Sequence, residues 1–581
     1  MAYIQPKINR GVIGMNKLEN LNDIVWSNSN SGELFPYVAT PMTFDVTQKF
    51  TKELLSTFSS KLGININKSR PFGLIAGKIY VNMNFAAALM RKVSFSLNKN
   101  YADLFGGDRE SLTEALEIIK KSGDQGVSFS PLKFIVNIPF MALQFIIKNF
   151  SKNRYKLDSE LLSTLNKYST DNFQQFTDQN LFGIIEELLV SLRNSTNSGW
   201  PVVLSAMISN SILLKLFGSQ KANIILSATA GMESADSGTE IVNLAYNAKI
   251  LKIDETLISC EKFHQAKEIL ITSEPGKIFL SKWSDFMLKH GHHAIGEVDV
   301  SRRRWRENPD FVFSTIKSYL KSNNINLIIA RYNITKSRSM AEEEKVLSKL
   351  SVFKYLIKWI INMAKNGLNF RENYKSKLVM MIDIIRKTIL EIGRRLKDRN
   401  AIASVDDIFF INLEEAKIAL DNLNNINIKE LIKKRQNEYE QYQKVILPSH
   451  IIGEFDIKSA LMKDVEITNE NLPSSGSNFK GIPVSSGVVQ GIARVIRTVE
   501  SVEILLNGEI LVAPFTDPGW TPFFVNAKGL VTELGGPLSH GSIIAREYGI
   551  PAVVNVKNIT KIIKTGQLIE VDGSNGIVSI I

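Results

Sequence analysis

One cysteine in 581 residues, Cys260, is too few for an internal disulfide and fits a chain kept in a reducing compartment. The start Met1-Ala-Tyr-Ile-Gln-Pro-Lys7 has no apolar signal core, so a cytoplasmic protein is expected. Long hydrophobic runs are scarce as well. The most apolar stretch, Phe134 to Ile147, is short for a membrane span and is broken by Asn137, Pro139 and Gln144, so a buried helix is expected there and no membrane partner. The net charge of +12 is spread thinly, and no basic run with interleaved aromatics marks a nucleic-acid groove. A phosphate-cradling G-x-x-x-x-G-K-S/T loop is also missing, and no glycine-rich strand pair reads as a nucleotide site.

What is present divides in two. The polar stretch from Asp464 to Asn478 ends in a Pro/Ser/Gly cluster and separates a helical region from a β-rich one. Residues 1–463 are expected to form a large, mostly α-helical substrate-binding domain, 464–478 a flexible linker, and 479–581 a C-terminal α/β domain, a multidomain α+β protein in all. About fifteen flexible residues can span a few tens of ångströms. Apolar residues recur at three and four near 111–121, 158–168, 182–193, 345–365, 374–397 and 429–445, which predicts helices there. Leu378, Ile382, Ile385, Ile389 and Ile392 form one such stripe, read as core. The opening stretches Trp26–Pro36 and Thr40–Thr43 read as extended or turn-rich, and Phe72–Val81 alternates like a strand after a turn.

The most informative stretch runs from Thr532 to Pro551, where an apolar strand gives way through Gly535 and Gly536 to a helix, with His540 at the junction. The two glycines permit backbone angles closed to other residues. Ser539 can cap, and the free amides of the first turn favour an anion. A neutral imidazole attacks phosphorus with one nitrogen while the other holds a hydrogen bond, so a lone histidine at such a turn suits a covalent phosphoryl carrier. Arg546 completes the set of candidate catalytic residues, His540, Ser539, Arg546, Gly535 and Gly536.

These residues resemble the swivelling phosphohistidine domain of the phosphoenolpyruvate-utilising enzymes, a family that includes phosphoenolpyruvate synthase, pyruvate phosphate dikinase and rifampicin phosphotransferase. The resemblance extends from Gly481 to Ile581 and includes Gly481–Gly487, Ile510–Pro522 and Val571–Gly576.

A second constellation lies between Lys289 and Pro309. Three histidines, two acids four and six residues beyond His293, and four arginines around a tryptophan crowd about twenty positions. Metal binding by His290, His292, His293, Glu297 and Asp299 is one reading, but the spacing fits no common zinc arrangement and the cysteine is remote, so no metal is expected. The block is similar to a Gly-His-Arg, Gly-Glu-x-Asp, Pro-Arg-Trp-Arg-Glu pattern of the central domain of rifampicin-phosphotransferase-like proteins. By that resemblance His292, His293, Glu297, Asp299, Arg304, Trp305, Arg306 and Glu307 bind substrate. His293 stands where that family commonly has Arg, and Arg303 where it has Pro.

The resemblance implies a phosphotransferase with a phosphohistidine intermediate. Family members normally begin with an ATP-grasp module, whereas this sequence starts directly at the central domain, and no pyruvate-binding barrel follows the linker. A separate ATP-grasp protein is therefore the expected partner, bringing ATP and Mg²⁺, with a small molecule as acceptor. His292, Glu297 or Asp299 would be the general base, and Arg304 and Arg306 would neutralise developing charge. Two alternatives stay open: a biosynthetic condensation or dehydration enzyme that uses phosphorylation to activate its substrate, and a non-catalytic binding relic.

Overall fold

Pro41–Lys61 begins as a helix because Thr40 is extended and its side chain accepts from the Thr43 amide at 3.3 Å, with Pro41 in the first turn. The Thr-Pro-Met-Thr sequence, expected as a turn, is thus a helix start. The computed structural model describes residues 24–28, 35, 37–93, 115, 117–150, 159–169, 172–227, 233–321, 325–350, 352–421, 427–445, 447–448, 450–453, 455, 476–497, 505–536 and 539–581. The 464–478 linker falls outside these residues except for 476–478.

Two long helices carry the helical region. Asp178–Ile225 starts on Thr177, whose hydroxyl accepts from the Asn180 amide; it contains Pro201 and breaks direction at Gly218, φ 76°. Lys354–Asp398 packs along it. The predicted stripe is core: Ile382, Ile385, Ile389 and Ile392 are buried against Leu181, Ile184, Leu188 and Leu192, and Leu378 packs at the edge. The helix expected at 345–365 is two helices, Ile325–Ser348 and the start of Lys354–Asp398.

Phe72–Ile75 and Lys78–Asn82 form a hairpin rather than one strand, because Ala76 and Gly77 both take left-handed angles and reverse the chain. The hairpin belongs to a four-stranded sheet completed by Val25–Ser27 and His450–Ile452, so the two ends of the helical region are stitched together. Phe134–Ile147, expected as a buried helix, lies in the helix Pro131–Phe150, yet Leu132, Ile135, Val136, Phe140 and Leu143 are exposed. A segment apolar on every side carries no period to say which face is covered; the helix meets Pro41–Lys61 and Asp178–Ile225. Gly199–Gly218 is long and apolar enough to cross a membrane by length and composition; Val202, Ala206 and Leu213 within it are buried.

The C-terminal region is an eight-stranded sheet. Its centre is parallel, in the order Val488–Val495, Ile510–Ala513, Gly529–Thr532, Ala552–Val554. Ile482–Ser485 adds antiparallel at one edge, and Leu568–Asp572, Ile577–Ile580 and Asn478–Lys480 at the other. Ile510–Ala513 and Gly529–Thr532 are buried along their whole length because both their faces are covered. The fold is therefore a large helical region followed by an α/β region. The two share one apolar core, in which Trp305, Phe313 and Tyr319 pack with Trp520, Phe524 and Ile543.

Candidate functional site

Two neighbouring parallel strands deliver the chemistry at their carboxyl ends, where open α/β sheets bind ligands. Gly529–Thr532 leads through Gly535, at φ 141°, to His540, the first residue of the helix His540–Glu547. Gly536 contributes its carbonyl, which accepts from Ser542 Oγ at 2.7 Å. Ser539 is the extended cap residue; its hydroxyl meets Ser542 Oγ at 2.9 Å and makes no bond to the helix amides. Gly541 is required by space, since a Cβ there would stand 2.3 Å from Thr516 Oγ1.

His540 is buried beneath the helical region, its ring edge-on to Phe524. Nε2 lies 3.2 Å from Thr521 Oγ1, and Nδ1 has no partner among the described residues. One nitrogen is held and the other is open, as a covalent carrier needs. Burial keeps the imidazole well below the usual histidine range, and Lys375, His293 and Arg371 push the same way. The ring is neutral at pH 7 and its lone pair is available.

The adjacent strand, Ile510–Ala513, leads to Asp517. Its Oδ1 accepts from Gly519 N at 2.9 Å, and its Oδ2 crosses to the helical region to accept from Gly296 N at 2.6 Å. Gly519 lies so close to Ala294 that a Cβ would meet its carbonyl oxygen at 2.3 Å. Burial raises the Asp517 carboxyl to about 7, Glu297 adding to the effect while the two amides and Lys375 oppose it. The C-terminal region is thus docked on the helical region, with His293 close enough to act electrostatically on His540.

Within the block the structure sorts the predicted residues. His293 Nδ1 and Glu297 Oε1 are 2.6 Å apart, both side chains are buried, and among the described residues His293 Nε2 and Glu297 Oε2 have no partner. His292 stands beside His293, ring centroids 4.3 Å apart, with Nε2 also unpartnered among the described residues. Its imidazole is held well below the ordinary range by burial, then by His293, Arg306, His290 and Lys377. His290 instead pairs with Glu240 at 3.0 Å. Trp305 backs the His293 ring, and its amide donates to the His293 carbonyl at 2.8 Å.

The remaining members hold the loop together. Arg304 is fully buried and donates to the carbonyls of Glu297 at 2.8 Å and Asp299 at 3.3 Å. Asp299 accepts from Ser301 N at 2.8 Å, Ser301 Oγ at 2.7 Å and Thr43 Oγ1, so its Oδ1 is saturated. Glu307 is bidentate to Arg386, and Arg306 reaches Asp383 at 3.3 Å. These contacts place Arg304 and Asp299 in a scaffold rather than at a reacting atom. Arg546 is not brought to His540: six residues on, roughly 9 Å along the helix, it borders a different cleft. Among the described residues no group of three or more His, Cys, Asp or Glu side chains stands as a metal site.

Sequence reasoning missed Asp517 and Thr521, which sit inside the Ile510–Pro522 motif without an assigned role. It also missed Arg371 and Lys375, whose charges act on His540. They lie four apart on one face of Lys354–Asp398, a spacing that marks a charged face without showing whether it meets solvent or a site.

The site thus combines a docked α/β region carrying His540 with a buried histidine–carboxylate pair of the helical region. Residues 505–576 match the PEP-utilising enzyme mobile domain, and residues 196–372 match the rifampicin phosphotransferase fourth domain. These two stretches are similar to parts of the phosphoenolpyruvate-utilising enzymes, and of rifampicin phosphotransferases among them. The rifampicin phosphotransferases of Bacillus cereus and Bacillus subtilis are each 35% identical over 302 residues, 51% of this chain and 34% of theirs. That of Streptomyces sviceus is 29% identical over 303 residues, with the same coverage of 51% and 34%. The chain thus spans about a third of the length of these curated relatives.

Proposed function

We propose that this chain carries a phosphoryl group on His540 and transfers it to a small-molecule acceptor held by the histidine block. The observation that supports this best is a neutral, half-open imidazole at His540 within electrostatic reach of His293, which pairs with Glu297. His293 Nε2 takes the proton of an acceptor hydroxyl, and Glu297 steadies the imidazolium that forms. The acceptor oxygen bonds to phosphorus as the phosphorus–nitrogen bond to His540 breaks, and that electron pair returns to the ring. Lys375 and Arg371 offset the charge on the phosphoryl oxygens. His293 therefore takes the base role expected of His292, Glu297 or Asp299, at the position where the relatives commonly carry Arg.

The donor in this proposal is a separate ATP-grasp protein using ATP and Mg²⁺, and the chain works in the cytoplasm without nucleic acid or membrane. Reaching the donor requires opening the shared core around Trp520 and Tyr319, a hinge motion about the 464–478 stretch. Splitting the reaction in this way keeps nucleotide and acceptor apart.

The half-reactions test it. Glu297→Gln preserves shape and removes the charge behind His293, so His540 should still be labelled by the donor while discharge to acceptor slows by roughly a hundredfold or more. Equal loss of labelling and discharge would make the block structural and overturn the assignment.

A further inference from the structure

The C-terminal and helical regions meet a second time, at the far end of the helix that begins with His540. A cleft of about 280 Å³ opens there. One wall comes from the helical region, from Asn223 to Ser227 and from Ile334 to Arg338; the other is Ser485, Ser486, Lys528 and the run Arg546–Ile550 without Glu547. Three cations, Arg338, Lys528 and Arg546, line it together with Ser227, Thr335, Ser485, Ser486 and Tyr548, and among the described residues no carboxylate does.

Arg546 gives the cleft a fixed positive floor. Burial brings its guanidinium down to about 10, with Glu547 and Glu372 offsetting the effect and Arg371 adding to it. Lys528 is anchored by one bond to the Gln490 carbonyl at 2.8 Å, which leaves two N–H donors of the ammonium. Arg338 is exposed at the rim. Three cations with no acid among the described lining residues select an oxyanion. The volume is at the lower end of small-ligand pockets, enough for one compact molecule.

We propose that this cleft is a binding site for a small polyanion, phosphorylated or polycarboxylate, that clamps the C-terminal region in the docked position. The clamp follows from the walls: each region supplies half of the site, so the anion binds tightly only when the two are together. By linkage, occupancy stabilises the docked form by the same free energy that docking lends to binding. A ligand here would hold His540 against the histidine block and delay its departure toward a donor. Binding itself does not rest on phosphoryl chemistry at His540.

The test is calorimetric titration of the full chain with pyrophosphate and, separately, citrate at fixed ionic strength, with hydrogen exchange of residues 546–550 read alongside. Saturable binding of either anion is expected, pyrophosphate pointing to a phosphorylated effector and citrate to a carboxylate one. Arg338→Ala and Lys528→Ala should each weaken binding at least tenfold, and exchange at 546–550 should slow on saturation. His540→Ala should bind as wild type does, which separates this site from the proposed transfer centre. Neither anion saturating at millimolar concentration would overturn the proposal, as would binding that both cleft variants leave unchanged.

Discussion

Asp517→Asn should flatten the pH dependence of docking between the two regions. The carboxyl is held at about 7 in the docked form, against an ordinary value of 3.8, with burial as the main cause. Apart from the helical region it meets water and ionises near its ordinary value. Docked protein therefore keeps a proton that separated protein has lost, and docking weakens as pH rises from about 4 to about 7, staying level outside that window. Three units correspond to about 4 kcal/mol. Between pH 5 and pH 8, allowing for ionisation already complete in the separated form at pH 5, roughly two decades remain, or about 2.7 kcal/mol.

The amide of Gly296 reports the event directly, since it donates to Asp517 across the interface. Its hydrogen-exchange protection, taken as the ratio of wild type to Asp517→Asn at each pH, cancels intrinsic exchange. The variant lacks one of two acceptor oxygens, a cost of about 1 kcal/mol that does not vary with pH. The ratio should fall about a hundredfold from pH 5 to pH 8. A ratio constant within threefold would refute the proton-linked contact.

Gly541→Ala gains about 1 kcal/mol of helix propensity but meets Thr516 Oγ1 at 2.3 Å, a clash worth about 1–3 kcal/mol, so the clash wins. His540 labelling should slow at least tenfold with little change in overall thermal stability. Arg304→Ala strands the carbonyls of Glu297 and Asp299 and empties a fully buried volume, and should cost about 3 kcal/mol, lowering the melting temperature and both half-reactions together. A normal melting temperature with only the discharge step lost would return Arg304 to the substrate.

The helical stripe of Lys354–Asp398 and the strand–glycine–helix around His540 were legible because each is written in local periodicity or turn chemistry. Phe72–Val81 was half legible: the alternation showed, but the reversal depends on left-handed angles at Ala76 and Gly77. The site was less accessible. Nothing in the spacing of His292, His293, Glu297 and Asp299 separates the pair that is left with open atoms from the acid consumed by Ser301 and Thr43. Asp517 gains its role only across the interface, and Arg546 loses its expected one because six residues of helix carry it away from His540.

The most direct measurement incubates the chain with an ATP-grasp donor, Mg²⁺ and ATP radiolabelled at the β-phosphate, and follows acid-labile, base-stable label on wild type and His540→Ala. The donor must first be shown to label its own carrier domain. Wild type should take up label approaching one phosphoryl per chain, and His540→Ala should lose it by several orders of magnitude rather than the tenfold, about 1.4 kcal/mol, of a displaced positioning group. Equal labelling of the two proteins, or none on wild type with that competent donor, would contradict a phosphoryl carrier at His540.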